Sequence, residues 1–220
     1  MSEIEKLVNK ALAEGKPSAW FESVYQQANQ DPRQIPWANL TPHPLLVDWL
    51  NEAKPDGRGK QALVIGCGLG DDCEVLSQVG FTVTAFDVSS TAITWCRQRF
   101  PASEVNYQVA DLLDLPLNWR HQFDLVVEVR TIQSLPIEIR DQVLEAIANL
   151  IKPGGLLLLV TNFRAENQPR SGPPWAMSES ELQRLESLGL AKTTEIKFPS
   201  LVRIVYQKPN SIKKQDTRSC

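Results

Sequence analysis

Ala62-Leu-Val-Ile65 runs straight into Gly66-Cys-Gly68-Leu-Gly70-Asp71-Asp72, and 21 positions after Gly66 the run Phe81-Thr-Val-Thr-Ala-Phe-Asp87 ends on an acid. Val75, Leu76 and Val79 lie between the two runs on what should be a helix. Strand, glycine turn, helix, strand and acid is the order of a nucleotide-binding α/β unit. Glycines let the backbone turn tightly and approach a ligand, and a carboxylate at the tip of the second strand can accept both ribose hydroxyl hydrogens. The stretch therefore describes a pocket for an adenosine-bearing cofactor. Its candidate binding residues are Gly66, Cys67, Gly68, Gly70, Asp71, Asp87 and Val88.

Asp71 and Asp72 separate the possible cofactors. A dinucleotide puts its pyrophosphate on the helix N-terminus, where backbone N–H groups and the macrodipole favour anions. Two like charges about 4 Å apart repel by roughly 4 kcal/mol at an effective dielectric of about 20, before solvent screening. The third glycine or alanine of the dinucleotide fingerprint would fall at position 71, which is aspartate. S-adenosylmethionine has the ribose hydroxyls and no phosphate, and it carries an ammonium and a sulfonium. It suits this site. The plainer role for either aspartate is helix N-capping, more so for Asp72.

At 220 residues the chain is long enough for one α/β domain with a sizeable core. A net charge of −3 leaves no electrostatic footprint for nucleic acid, and the doublet Lys213-Lys214 is too short to make a patch. The longest apolar run, Leu156 to Val160, is far short of a membrane span, and the acidic Met1-Ser-Glu-Ile-Glu start is unlike a signal peptide. A cytoplasmic protein without nucleic-acid or membrane partners, monomeric or weakly dimeric, is expected. Cys67, Cys73, Cys96 and Cys220 lack C-x-x-C spacing, and only His43 and His121 could join them as ligands, so free thiols and no metal are expected. Cys96, on an apolar helix face, reads as a core thiol.

Helical periodicity covers residues 3 to 14 and the Trp20-to-Ala28 stretch, and Thr41-Pro42 reads as cap and first-turn proline of a third helix bearing Leu46, Trp49 and Leu50. Residues 1–60 are thus an expected helical lid segment, 61–208 the cofactor-binding domain, and 209–220 a disordered tail. Strands are expected at 61–66, 81–87, 105–110, 123–128, 156–160, 192–197 and 201–207, with helices between most of them. Lys152-Pro-Gly-Gly155 reads as the turn into the fifth strand, and Ser178-Glu-Ser-Glu181 as a capping box. The sum is an α/β, doubly wound, mostly parallel seven-stranded sheet. Its last strand should be antiparallel because a short Pro199-Ser200 connection makes a hairpin.

With Val64-Ile-Gly-Cys-Gly-Leu-Gly70, Phe86-Asp87-Val-Ser-Ser, Ala110-Asp111-Leu112 and Leu150-Ile-Lys-Pro-Gly-Gly155 in this order, the chain resembles the Rossmann-like S-adenosylmethionine-dependent methyltransferases over roughly residues 20 to 208. The resemblance implies that Asp111 meets the exocyclic amine of adenine, with Leu112 beside it. Pro36-Trp37, Pro42-His-Pro44-Leu45-Leu46, Leu135-Pro-Ile-Glu-Ile-Arg140 and Gly172-Pro-Pro-Trp175 are similar to the thiopurine, thiol and halide methyltransferase group, tellurite-resistance relatives included. That implies an N-terminal segment folded over the cofactor and a small sulfur or polarizable acceptor. Arg130 departs from the group, where an aromatic residue is common.

A sulfonium methyl is already activated, so holding the acceptor in line matters more than acid or base chemistry. Glu128, at the end of the fourth strand, is a candidate for contacting cofactor or acceptor, or for capping nearby backbone. Together with Arg130 it forms the candidate catalytic pair. Trp37 could cover the cofactor or stack on its sulfonium, or simply pack in the core. Arg130, Gln133, Arg164 and Trp175 fall in loops after the fourth and fifth strands and are acceptor-binding candidates. The rivals are a nicotinamide-dependent oxidoreductase, NAD(P) replacing S-adenosylmethionine, and a non-catalytic S-adenosylmethionine-binding protein.

Overall fold

The computed structural model describes residues 3–169 and 172–210. The N-terminal helices are α1 (Glu3–Ala13), α2 (Trp20–Gln27) and α3 (Pro44–Ala53). The α/β part follows as β1 (Gln61–Ile65), α4 (Asp71–Gln78), β2 (Thr82–Asp87), α5 (Ser90–Arg99), β3 (Asn106–Val109), β4 (Phe123–Val129), α6 (Arg140–Leu150) and β5 (Ile151–Asn162). It closes with α7 (Glu179–Ser187), β6 (Ala191–Lys197) and β7 (Leu201–Gln207). The seven strands form one sheet in the order β3-β2-β1-β4-β5-β7-β6, in which β7 runs antiparallel to both neighbours.

Alternation along the central strands sends successive side chains to opposite faces. Leu63, Ile65, Val126, Leu157 and Leu159 meet α6 and α7 through Val143, Ile147, Leu182 and Leu185. Ala62, Val64, Leu125, Val127 and Leu158 meet α4, α5 and α3 through Leu76, Ile93, Leu46 and Trp49. Both faces are covered, which is why β5 reads as a nearly unbroken apolar run. The chain leaves β1 toward β2 on one side and reaches β4 on the other, so the order reverses there. Open α/β sheets bind ligands in the crevice at such a point.

Three local expectations change. The cap of α3 is His43, not Thr41: its ring Nδ1 accepts the Leu45 N–H at 3.2 Å, and Pro44 takes the first helical position. The 152–155 stretch is not a turn before β5 but a bulge within it, because β4 pairs Phe123 with Ile151 and then Leu125 with Leu156. Gly154 supplies the positive φ of 81° there. The expected 1–60 segment also divides, since α3 belongs to the sheet's face while α1 and α2 share a cluster with Leu69, Ala92 and Trp95. The capping box at Ser178 and Glu181 forms. Lys213-Lys214, Cys220 and the expected tail from residue 211 lie outside the described residues.

No helix among the described residues is long and apolar enough to cross a membrane. Cys67, Cys73 and Cys96 are buried free thiols, and no group of three or more ligand-type side chains among the described residues could hold a metal.

Candidate active site

A cavity of about 360 Å³ opens over the carboxyl ends of β1, β2 and β4. That is within the roughly 300–1,000 Å³ of small-molecule sites. Gly66, Cys67, Gly68, Asp71, Asp87, Val88, Asp111 and Leu112 line it, so most of the expected cofactor residues converge. Gly66 has a φ of 58°, and a Cβ there would sit 2.4 Å from Thr131 Oγ1, so the turn and the close approach both require glycine. Gly70 does not line the cavity. It is the N-cap of α4, where a Cβ would strike Tyr107 Oη at 2.6 Å, so its role is to let the loop close.

Asp87 is buried, with Oδ2 accepting the Gly68 N–H at 3.0 Å and Oδ1 the Ser89 N–H at 2.9 Å. Each oxygen retains lone-pair capacity beyond that one bond. Burial pushes its carboxyl up to about 6, against the lowering by those two N–H groups. Asp111 accepts the Leu113 N–H at 2.9 Å on Oδ1 and the Ser18 hydroxyl at 2.9 Å on Oδ2. Asp71 lines the cavity, but Arg99 grips both of its oxygens at 2.8 Å each. Asp72 lines it too, and its Oδ1 accepts the His43 N–H at 2.6 Å.

The N-terminal helices form one wall. Glu22 of α2 accepts the Ser89 hydroxyl at 2.6 Å, the Thr91 hydroxyl at 2.7 Å and the Thr91 N–H at 3.2 Å, at the positive end of α5. Burial raises the Glu22 pKa, but these hydrogen bonds together outweigh it and the net shift is downward. Trp37 lines the cavity while its indole N–H donates to Tyr25 Oη at 3.0 Å and its ring stands edge-on to Trp20, Phe21 and Tyr25. One tryptophan thus both packs and faces the pocket.

The β4–β5 side is arranged differently. Glu128 is fully buried and turned into the protein: its Oε1 accepts the N–H groups of Thr131 at 2.5 Å and Ile132 at 2.8 Å. It does not line the cavity, so the expected contact with cofactor or acceptor gives way to capping of the turn at 132–134. Burial lifts its carboxyl to about 7, against the lowering by the two N–H groups and Arg140. Arg130 lines the cavity, exposed, with a left-handed φ of 64° that a non-glycine residue rarely holds. Its N–H donates to the Val160 carbonyl at 2.8 Å and its carbonyl accepts the Ser134 hydroxyl at 3.0 Å, which fixes that backbone.

Gln133 lines the cavity but is buried, its Oε1 accepting the Thr161 hydroxyl at 3.1 Å and the Asn162 N–H at 2.5 Å. Arg164 and Trp175 do not line it. Arg164 is buried against Glu181 at 3.1 Å and the Ala176 carbonyl at 3.1 Å, and an arginine so enclosed cannot reach an acceptor. The Trp175 N–H donates to the Gln133 carbonyl at 2.6 Å, and its own carbonyl accepts from Arg140 at 2.9 Å. Pro173 and Pro174 line the cavity in its place.

Residues 63–159 match the family described as Methyltransferase domain. The matched stretch runs from β1 through most of β5, and over it the chain is similar to a methyltransferase domain. Among curated relatives, a ubiquinone biosynthesis O-methyltransferase of Bordetella avium is 28% identical over 54% of this chain and 49% of its own length. A thiopurine S-methyltransferase of Vibrio atlanticus is 27% identical over 65% of this chain and 71% of its own. The chain spans about half the length of the ubiquinone-biosynthesis relatives it matches. The fold is shared with the N-methyltransferase NodS of Bradyrhizobium japonicum, solved with S-adenosyl-L-homocysteine, at a TM-score of 0.69 and 20% identity over 86% of this chain and 98% of that one.

Against the oxidoreductase alternative stand the similarity of residues 63–159 to a methyltransferase domain and the Asp72 side chain on the cavity wall at the start of α4, where a pyrophosphate would lie. Sequence reasoning missed Ser18 and Phe21 as cavity-lining residues, and it used Asp72 to separate the cofactors without naming it as a binding residue. Ser18 lies 93 positions from Asp111, and no local pattern announces such a pair.

Proposed function

We propose that this methyltransferase domain passes the methyl group of S-adenosylmethionine to a small-molecule acceptor that reacts as a soft or already ionised nucleophile: a thiol, thiopurine, chalcogen oxyanion or halide. The observation carrying this reading is that neither Glu128 nor His43, the two candidate bases beside Arg130, turns a free proton acceptor toward the cavity. Glu128 points its carboxyl at the backbone of Thr131 and Ile132. His43 lines the cavity but uses Nδ1 to accept the Leu45 N–H, so in its neutral form the proton sits on Nε2 and the ring is a donor. Burial and the nearby Arg130 charge both lower the His43 pKa, which favours that neutral form. An acceptor that ionises by itself needs no base.

When bound, S-adenosylmethionine supplies the activated methyl group. The protein's part is to orient and to exclude water: Asp87 is proposed to hold the ribose, Asp111 the adenine, the Trp37 wall to cover the cofactor, and Arg130 with the cavity face of Gln133 to receive the acceptor. The Vibrio relative named for thiopurines favours a sulfur acceptor. An oxygen acceptor is the second reading, favoured by the relative named for ubiquinone O-methylation. The protein is proposed to work in the cytoplasm as a monomer or weak dimer.

The test is a methyl-transfer screen across thiols, thiopurines, selenite, tellurite, halides and phenols. Turnover confined to the first five supports the proposal, and turnover confined to phenols replaces it with the second reading. Tight S-adenosylmethionine binding with no transfer to any of them would make the protein a non-catalytic binder.

A further inference from the structure

The residues that follow β4 give the cavity a different polarity from those that end or follow β1, β2 and β3. Asp71, Asp72, Asp87 and Asp111 line it from the first three strands, whereas Glu128 of β4 spends its carboxyl on the Thr131 and Ile132 N–H groups. Arg130 lines the cavity as an exposed cation, and the ion pairs among the described residues leave it out. Gln133 is only 1% exposed, and its partners settle the direction of its amide: Oε1 accepts the Thr161 hydroxyl at 3.1 Å and the Asn162 N–H at 2.5 Å, and a backbone N–H needs an oxygen opposite it. Nε2 therefore points away from Asn162. It bonds to no described residue, yet it is not among the enclosed polar atoms that lack a partner, so it touches open space, and the open space beside this buried side chain is the cavity it lines. A buried amide donor left facing such a space is costly until an acceptor meets it.

The amide nitrogen carries two protons and no lone pair, and the guanidinium five N–H donors and no acceptor. Thr131 and Ser134 line the same wall, but their hydroxyl protons go to the Ile65 carbonyl at 3.2 Å and the Arg130 carbonyl at 3.0 Å, so neither changes its charge. We infer that the methyl acceptor bears an oxyanion group, and that Gln133 Nε2 and the Arg130 guanidinium receive its oxygens. A neutral thiol or phenol leaves the Arg130 charge unused, and a halide offers charge on a single atom. A carboxylate offers an oxygen to each donor, in the charge-assisted bonds that are the strong ones. Leu135, Pro173 and Pro174 line the cavity as well and supply apolar surface for the body of an organic acid. This inference rests on the proposed methyl transfer and narrows its acceptors.

Initial rates of methyl transfer by the full chain test it, on 3-mercaptopropionate against 3-mercaptopropionamide, with octanoate and selenite beside them as oxyanions that would be methylated themselves. The charged thiol should have the higher kcat/KM by about ten- to a hundredfold, the scale of hydrogen bonds to a charged group. Its carboxylate raises the pKa of the thiol, so intrinsic reactivity opposes this order. Transfer to octanoate or selenite with none to the amide upholds the inference too, and makes the oxyanion the reacting group instead of a handle. Gln133→Glu keeps an oxygen for the Thr161 hydroxyl and the Asn162 N–H and replaces the cavity-facing donor by a carboxylate oxygen. It should cut the charged-to-neutral ratio about tenfold or more. Equal rates on the two thiols, a preference for the amide, or an unchanged ratio in the variant overturns the inference and leaves methyl transfer standing, as does turnover confined to neutral thiols, thiopurines or phenols. Absence of transfer to every acceptor of the wider screen overturns the methyl transfer instead. If Gln133→Glu fails to fold, Arg130→Gln is measured on the same ratio with the same expectation.

Discussion

The crevice has two halves, and they anchor their polar side chains over different distances. On the β1–β3 half, Asp87 accepts the N–H of Ser89 and Asp111 that of Leu113, each two residues ahead. On the β4–β5 half, Gln133 is held by Thr161 and Asn162, and Arg164 by Glu181 from α7. Side chains that accept from backbone two residues ahead have part of their direction set locally. Those fixed by remote partners face the cavity or leave it according to where another element packs. The first half takes one anchor of each acid from residues two positions ahead, with Gly68 and Ser18 adding remote ones, and the second half relies on remote partners for Gln133 and Arg164.

The strongest way to break this contrast is Glu181→Ala. Glu181 pairs with Arg140 at 2.9 Å and Arg164 at 3.1 Å, and both arginines are buried. Stranding them should cost about 3–5 kcal/mol of unfolding free energy in denaturant titration. A cost below about 1 kcal/mol would show that Arg164 is not structurally committed and return it to the acceptor side.

Asp87→Ala strikes the local half. Loss of hydrogen bonds to a charged acceptor should weaken S-adenosylmethionine by about 1–3 kcal/mol in calorimetry, and unchanged affinity would remove Asp87 from the ribose. Arg130→Ala should raise the acceptor KM about tenfold, close to 1.4 kcal/mol, with cofactor affinity intact. The reverse pattern would place Arg130 on the cofactor's carboxylate and erase the division between the halves at that point.

The smallest effect concerns Glu128. Its carboxyl is lifted from 4.5 to about 7 by burial, so the folded state holds a proton that the unfolded chain has released. The stability it contributes is complete below about pH 4.5 and lost as pH rises through about 7. Asp72 and Asp87, each raised to about 6 by burial, act in the same direction and remain in the variant. Glu128→Gln should therefore flatten, without abolishing, the fall in Tm between those limits. Parallel profiles for the two proteins would mean that Glu128 does not titrate there.

Much of the fold was legible because it follows from periodicity and punctuation. The apolar runs at 62–65 and 156–160 became central strands, Ser89 caps α5 through its bond to the Ala92 N–H at 3.0 Å, and Ser178 with Glu181 forms the expected box. Where local rules failed, a competing local rule or a remote contact decided. Pro44 at the first helical position moved the α3 cap to His43, and pairing with β4 drew residues 152–155 into β5. The loops after β4 and β5 could be named as near the crevice, but Arg164 and Trp175 turned from it because α6 and α7 supply them with partners.

The sequence by itself determined the glycine loop, the acids at the strand tips and the succession of strands and helices, since each depends on residues a few positions apart. Only the tertiary structure decided that Arg99, 28 positions away, neutralises Asp71 and leaves Asp72 to face the cavity. It also decided that Arg164 pairs with Glu181 and leaves the cavity. Two side chains of the same type beside each other carry the same local signal, and the charge one of them presents depends on which remote partner the fold brings to it.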